Sequence, residues 1–291
     1  IKAGDMTNLT SIKNILSPIG LLRESKVGIV GALICLFWVF IAIFASAIAP
    51  FDPFANLVPL QTPLTKGPDG SVFWLGTDIL GRDILSRIFY GTQTVLIYAP
   101  LATLTAYVVG IVMGLAGGYY QGRTDTCLSF VANVILSFPV LVLYILIIAS
   151  IGASGVNIII AVTFASAPGI FRIVRGLTMD LRSREYVAAA QTRGESALWI
   201  MFVEILPNTR GPLIVDACLR LGYVIITIGV LGFLGMGLPP PTPDWGSMIS
   251  EARSLFTVFP HIAIAPCLAI SSLVLGLNML SDGLREISLR D

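Results

Sequence analysis

The stretch DLRSREYVAAAQTRGESALWIMFVEILPN, residues 180–208, decides how the whole chain is read. It gathers Arg182, Arg184, Glu185, Arg193 and Glu195 in a polypeptide that otherwise avoids charge. Only 12% of the 291 residues are Asp, Glu, Lys or Arg and 55% are hydrophobic, whereas a soluble domain carries about 25% charged residues. So apolar a chain cannot cover a water-facing surface, which makes the bilayer its solvent and this stretch an excursion out of it. The excursion is neither low in complexity nor, before Pro207, rich in proline, so disorder does not account for it. Leu177, Leu181 and Ala188 continue one apolar stripe beside the polar Arg182, Arg184, Glu185, Gln191 and Arg193. The run Ala188, Ala189, Ala190 favours helix, and Gly194 supplies a sharp turn with no Cβ to strain. The pattern is helix, glycine break, helix, proline stop: a short knob whose small side chains a partner's cleft can approach closely. On the residues alone, an amphipathic helix resting on lipid headgroups is the alternative.

Apolar runs flank the excursion, each near the ~20 residues that cross ~30 Å of hydrocarbon. They lie at 27–49, 94–118, 126–151 and 156–171 before it, and at 213–235 and 262–281 after it. The fifth alone carries charge, Asp216 and Arg220, spaced so that they pair on one helix face; structural pairing and a role in transport coupling are both open. The first follows Lys13, Arg23 and Lys26 and ends in Ala47-Ile48-Ala49, as a secretory signal would. Its apolar core exceeds the ~7–15 residues of such a signal, so a retained span is expected. With the N-terminus inside, 13 of the 18 Lys and Arg residues fall on cytoplasmic segments. Outside remain Lys66, Arg82, Arg87 and Arg253, while Arg220 lies within the fifth run, and this bias sets the orientation. The expectation is an all-α integral membrane protein: a cytoplasmic segment 1–26, a transmembrane domain 27–291 with six helices, an inner loop at 172–210, and both termini cytoplasmic.

In the second run Gly110, Gly114 and Gly118 recur every four residues, a spacing that lets helix backbones approach closely in lipid. The outer loop at 50–92 begins with Pro50, Pro53, Pro59 and Pro63, then turns amphipathic in WLGTDILGRDILSRIFYG, residues 74–91. Leu80, Ile84 and Ile88 share a face there, Asp83 is spaced to pair with Arg87, and Thr77 or Asp78 would cap. A separate helix lying on the outer interface is expected. In the other outer segment, 236–260, the prolines of GLPPPTPDWGSM (237–248) stop the fifth helix, and a short amphipathic helix follows at the pore mouth.

Several function classes are disfavoured. A formal charge of +1 lacks the basic footprint of a nucleic-acid binder. Cys35, Cys127, Cys218 and Cys267 are scattered through apolar runs and His261 is the one histidine, which gives neither a disulfide framework nor metal-ligand spacing. No P-loop pattern occurs, and no nucleophile with its base marks an enzyme. A secondary transporter is a rival, but it would ordinarily need ionisable groups at mid-membrane and inverted repeats; five of the six runs carry no charge. A pore-less membrane scaffold is a third possibility.

EYVAAAQTRG followed by ILPN resembles the cytoplasmic loop of bacterial ABC importer permeases, E-A-A-x3-G-x9-I-x-L-P. LGTDILGRDILSRIFYG, LGFLGMGLPPPTPDWGSMISEAR and the closing NMLSDGLRE are similar, more narrowly, to the second permease subunit of dipeptide, oligopeptide and nickel transporters. Gly194 takes the glycine slot, Ala189 and Ala190 the alanine slots, and Leu206 with Pro207 the closing pair. Ala188 stands where the motif has Glu and Glu204 where it has Ile, so no direct ionic role falls to position 188; Glu185 is a possible geometric substitute. The resemblance implies a type I ABC importer permease of the bacterial inner membrane that forms half of a translocation path. Di- or oligopeptides are the implied cargo, with nickel chelates, sugars and opine-like solutes as alternatives. It implies a second permease, two ATP-binding subunits that hold ATP and Mg, and an extracytoplasmic solute-binding protein, with no cofactor in this chain. The implied ATPase-coupling residues are Arg184, Glu185, Tyr186, Ala188, Ala189, Ala190, Arg193, Gly194, Glu195 and Pro207. The implied docking residues for the binding protein are Asp78, Arg82, Asp83, Arg87, Asp244 and Trp245.

Overall fold

The computed structural model describes residues 25–67 and 70–288, so the expected N-terminal segment 1–26 lies almost wholly outside the described residues. Helix α1 spans Lys26–Ile48, and a two-stranded antiparallel ribbon, β1 Thr65–Lys66 and β2 Val72–Phe73, sits in the loop after it. Then come α2 Ile84–Tyr120, α3 Gly122–Leu136, α4 Val140–Ile151, α5 Gly155–Arg182 and α6 Glu185–Thr192. One turn of α7, Ala197–Trp199, leads through a π-helical segment Ile200–Ile205 and a 3-10 turn Leu206–Thr209 into α8, Arg210–Phe233. Short α9, Trp245–Ala252, and long α10, His261–Ser288, complete the chain. Among the described residues, five helical rods are long and apolar enough to cross a bilayer: α1, α2, α5, the continuous stretch Ala197–Phe233, and α10. The pair α3 and α4 makes a sixth candidate, bent by 89°.

Three boundaries differ from the sequence expectation. The amphipathic stretch after Asp83 is not a separate interfacial helix: α2 runs 37 residues without a break, ~55 Å at 1.5 Å per residue. Gly91, inside that helix, leaves room for the Trp245 indole, which lies 2.8 Å from where a Cβ would sit. The third apolar run is broken at Ser137–Pro139, because Pro139 has no N–H to continue the ladder and the Ser137 hydroxyl turns back to the Val134 carbonyl at 2.7 Å. Nor does Pro207 stop a helix. It sits in the first turn of the 3-10 segment, where its missing N–H matters least, and the rod continues into α8.

Close packing explains the arrangement. Cβ atoms at Gly110, Gly114 and Gly118 would fall 2.6, 2.5 and 2.6 Å from Ile170, Val174 and Thr178, so α5 lies directly against the glycine stripe of α2. One buried cluster, including Trp38, Ile84, Ile225, Trp245 and Leu273, binds α1, α2, α8, α9 and α10 together. A second, with Ala106, Leu115, Ile170, Val174, Val187, Ile200 and Ile205, fastens the 185–209 excursion to α2 and α5.

Candidate functional site

At the knob end, α5 stops at Arg182 and the chain turns through Ser183, whose hydroxyl meets the Asp180 carbonyl at 2.7 Å. Eight residues of α6 follow, ended by Gly194 at φ +80°, a conformation that favours glycine. Val187 and Ala190 are fully buried and point back into the second core cluster. Glu185, Ala188, Ala189, Gln191, Thr192, Arg193 and Gly194 are exposed. Of the residues expected in coupling, Ala190 packs into the chain's own core, whereas Ala188 and Ala189 are exposed. Arg184 pairs with Asp180 at 3.0 Å, and Arg193 reaches Glu204 at 3.1 Å and Glu195 at 3.8 Å, clasping the turn after α6. Tyr186 is half-buried between them, and burial, with the nearby Glu204 charge, pushes its phenol up from its ordinary value.

At the far end the structure brings together residues that the sequence left in two segments. Asp78 accepts from Arg82 Nε at 2.7 Å and from Arg87 Nη1. Glu251 of α9 accepts from Arg82 Nη2 at 2.7 Å and from Arg87 Nη1 at 3.0 Å. The sequence-expected Asp83–Arg87 pair is absent. Asp83 instead caps α2, accepting from the Ser86 N–H at 2.7 Å, so neither Thr77 nor Asp78 is the cap. Trp245 Nε1 donates to the Ile88 carbonyl at 3.1 Å and its ring meets Trp38 edge-on. Asp78, Arg82, Asp83, Arg87, Asp244 and Trp245 are all buried, at 0 to 7% exposure. As struts joining the 76–87 turn to α9 they shape that end of the protein. The sequence signal missed was Glu251, the acceptor common to both arginines, because nothing local links it to residue 82.

Asp244 caps α9, accepting from Gly246 and Ser247 N–H groups at 3.4 and 3.1 Å. Burial lifts its carboxyl to about 6, against the lowering pull of those two N–H groups and of Arg87. The folded state thus holds this proton more tightly than an unfolded chain with its ordinary value of ~3.9. The group's stabilising contribution is full below pH ~4 and is lost as pH rises through about 6. Asparagine caps equally well, so Asp244→Asn isolates the charge. In thermal unfolding at stepped pH, the stability of wild type relative to the variant should fall by on the order of 3 kcal/mol between pH 4 and 7; a constant difference would refute the assignment.

Between the two ends, the sequence-expected pair on the fifth span forms: Arg220 Nε to Asp216 Oδ2 at 2.7 Å, with the Tyr107 hydroxyl of α2 donating to the same oxygen at 2.5 Å. Apolar multi-pass helices, a knob clasped to them at one end and a strutted cap at the other define a helical membrane protein. The family described as binding-protein-dependent transport system inner membrane component matches residues 106–290. The glutathione transport system permease protein GsiD of Pectobacterium atrosepticum is 38% identical over 263 residues, covering 90% of this chain and 86% of that protein. GsiD of Escherichia coli O6:K15:H31 is 38% identical over 264 residues, 91% and 86% of the respective chains. The MetNI methionine ABC transporter, in an inward-facing structure, shares the fold at a TM-score of 0.57 and 16% identity, over 70% of this chain and 96% of that one. The chain belongs to the family of binding-protein-dependent inner membrane components: it is a multi-pass permease of an ABC importer, and not itself an enzyme.

Proposed function

We propose that this permease imports peptide-like solutes, di- or oligopeptides including glutathione, and that α6 is the helix through which ATP-driven motion enters it. The observation that carries the coupling role is the two-sided character of α6: Val187 and Ala190 are locked into the core while Ala188 and Ala189 are bare. A groove in a partner can close over two alanines without steric conflict, and force applied there passes through the second core cluster into α2 and α5. Through the unbroken rod Ala197–Phe233 it also reaches α8. The partners are two ATP-binding subunits holding ATP and Mg, a second similar permease completing the path, and a solute-binding protein at the end built by α9 and the 50–83 loop. The knob and both termini face the cytoplasm, a reading supported by the excess of Lys and Arg on those segments.

The peptide-like cargo rests on the GsiD relatives. The test is uptake into proteoliposomes of the assembled complex, with binding protein on the outside-facing end. Uptake of glutathione should require ATP and the binding protein and persist when the proton gradient is dissipated. Uptake that survives ATP removal but not gradient collapse would instead mark a secondary transporter.

A further inference from the structure

The strongly polar side chains within α8 beyond its first turn fall on one face. Asp216, Arg220, Tyr223 and Thr227 recur at i, i+4, i+7 and i+11, the spacing of a single helical stripe. None is core: Tyr223 is 69% exposed, the side chains of Asp216 and Arg220 are 22% and 24% exposed, and Thr227 is partly exposed. Away from the stripe Val224, Ile225 and Ile228 are buried, Ile225 on the opposite side. A charged stripe turned to lipid is expensive, and a face that does meet lipid in this chain looks different, as Leu33, Leu36 and Phe40 of α1 illustrate. The α8 stripe therefore borders water or protein.

Its charged end has unused capacity. Both hydrogen bonds to Asp216, from Tyr107 and from Arg220, end on Oδ2. Among the described residues, Asp216 is the one carboxylate Arg220 pairs with, and it does so through Nε; the guanidinium also lies within bonding range of the Tyr107 hydroxyl, and its Nη edge meets no second carboxylate. That edge extends toward α5, where Gly169 makes room: a Cβ there would lie 3.2 Å from Nη1 and 3.4 Å from Nη2. On another face of α8 lies an apolar groove of about 750 Å³ bordered by Tyr107, Ala217 and Leu221; Asp216 and Arg220 do not line it, and Tyr107 is the residue common to both.

We propose that this stripe faces the translocation path, and that Asp216 and Arg220 form a subsite for a zwitterionic solute, the Nη edge of Arg220 taking a carboxylate and Asp216 Oδ1 an ammonium group. The subsite deepens the peptide-permease function proposed above and rests on it. A fork of two N–H donors suits a carboxylate, and an acid and a base one helical turn apart match the two charged ends of a short peptide better than a uniformly anionic or cationic cargo.

The test uses the assembled transporter in proteoliposomes, with glutathione and its glycine-amidated analogue as probes. Each uptake is expressed relative to wild type with the same probe, which cancels discrimination by the binding protein. Arg220→Gln should lower the acid-to-amide ratio about tenfold or more, the worth of a charge-assisted hydrogen bond, and Arg220→Lys, which keeps the charge but not the two-donor fork, should lower it by less than Gln does. Equal losses for both probes, or none, would overturn the subsite. Independently, Tyr223→Cys should react with a water-soluble maleimide several-fold faster than Phe40→Cys, each corrected for the native cysteines. Labelling no faster than at the lipid-facing position, as a covering partner permease would give, overturns the path assignment. Wild-type complex that moves neither probe would count against the peptide cargo, and the labelling comparison would still decide where the stripe faces.

Discussion

Ala189→Trp should lower ATP-driven uptake by roughly ten- to hundredfold while the chain still inserts and folds. The physical reason is the division of labour in α6. Ala189 is exposed, so an indole there disturbs none of the chain's own contacts, and the buried Val187 and Ala190 continue to hold the helix in place. In a closely fitted groove the added bulk is overpacking worth about 1–3 kcal/mol, roughly a ten- to hundredfold loss of seating. Thermal stability of the purified chain should stay within about 0.5 kcal/mol of wild type, as for surface changes generally. Ala190→Trp should behave oppositely, lowering stability because that side chain is fully buried. Measuring ATP hydrolysis, uptake and thermal unfolding on both variants separates the outcomes. Normal uptake by Ala189→Trp would remove the knob from the coupling pathway.

Arg87→Met should destabilise the chain by up to about 3–5 kcal/mol, the cost of breaking a buried ion pair, because it leaves two carboxylates sharing one arginine. Arg87 is 2% exposed and ties Asp78 to Glu251. Replacing it leaves Asp78, itself 3% exposed, with Arg82 as its remaining cation. Arg82→Met likewise leaves Asp78 and Glu251 with one arginine each, and should be milder only because Arg82 is the more exposed cation, at 7% against 2%. Thermal unfolding in detergent measures both. A loss below about 1 kcal/mol for Arg87→Met, the usual worth of a surface pair, would mean that the strut is structurally idle.

Elements whose signal is local were legible in the sequence. Hydropathy located the rods, the glycine triplet on α2 announced the close contact with α5, and Gly194 marked the end of α6. Asp216 and Arg220 are separated by one turn of one helix, so their pairing could be read from spacing. What escaped depends on distant partners. Arg87 lies within reach of Asp83 by helical spacing, but Asp83 begins the helix and spends its carboxylate on the Ser86 N–H, while Glu251 arrives from 164 residues away. The 89° bend between α3 and α4 was hidden because the run is apolar on both sides of Pro139. Pro207 misled in the other direction: read as a stop, it is absorbed by a 3-10 turn between a π-helical segment and α8.

The most direct test of the central claim is a cross-link. With a photoreactive or cysteine-directed probe at position 189 of the chain purified from its native membrane, the product should be an adduct with a subunit that hydrolyses ATP, formed from the cytoplasmic side. Adducts to lipid alone, or a probe reachable only from the opposite side of the membrane, would contradict the account.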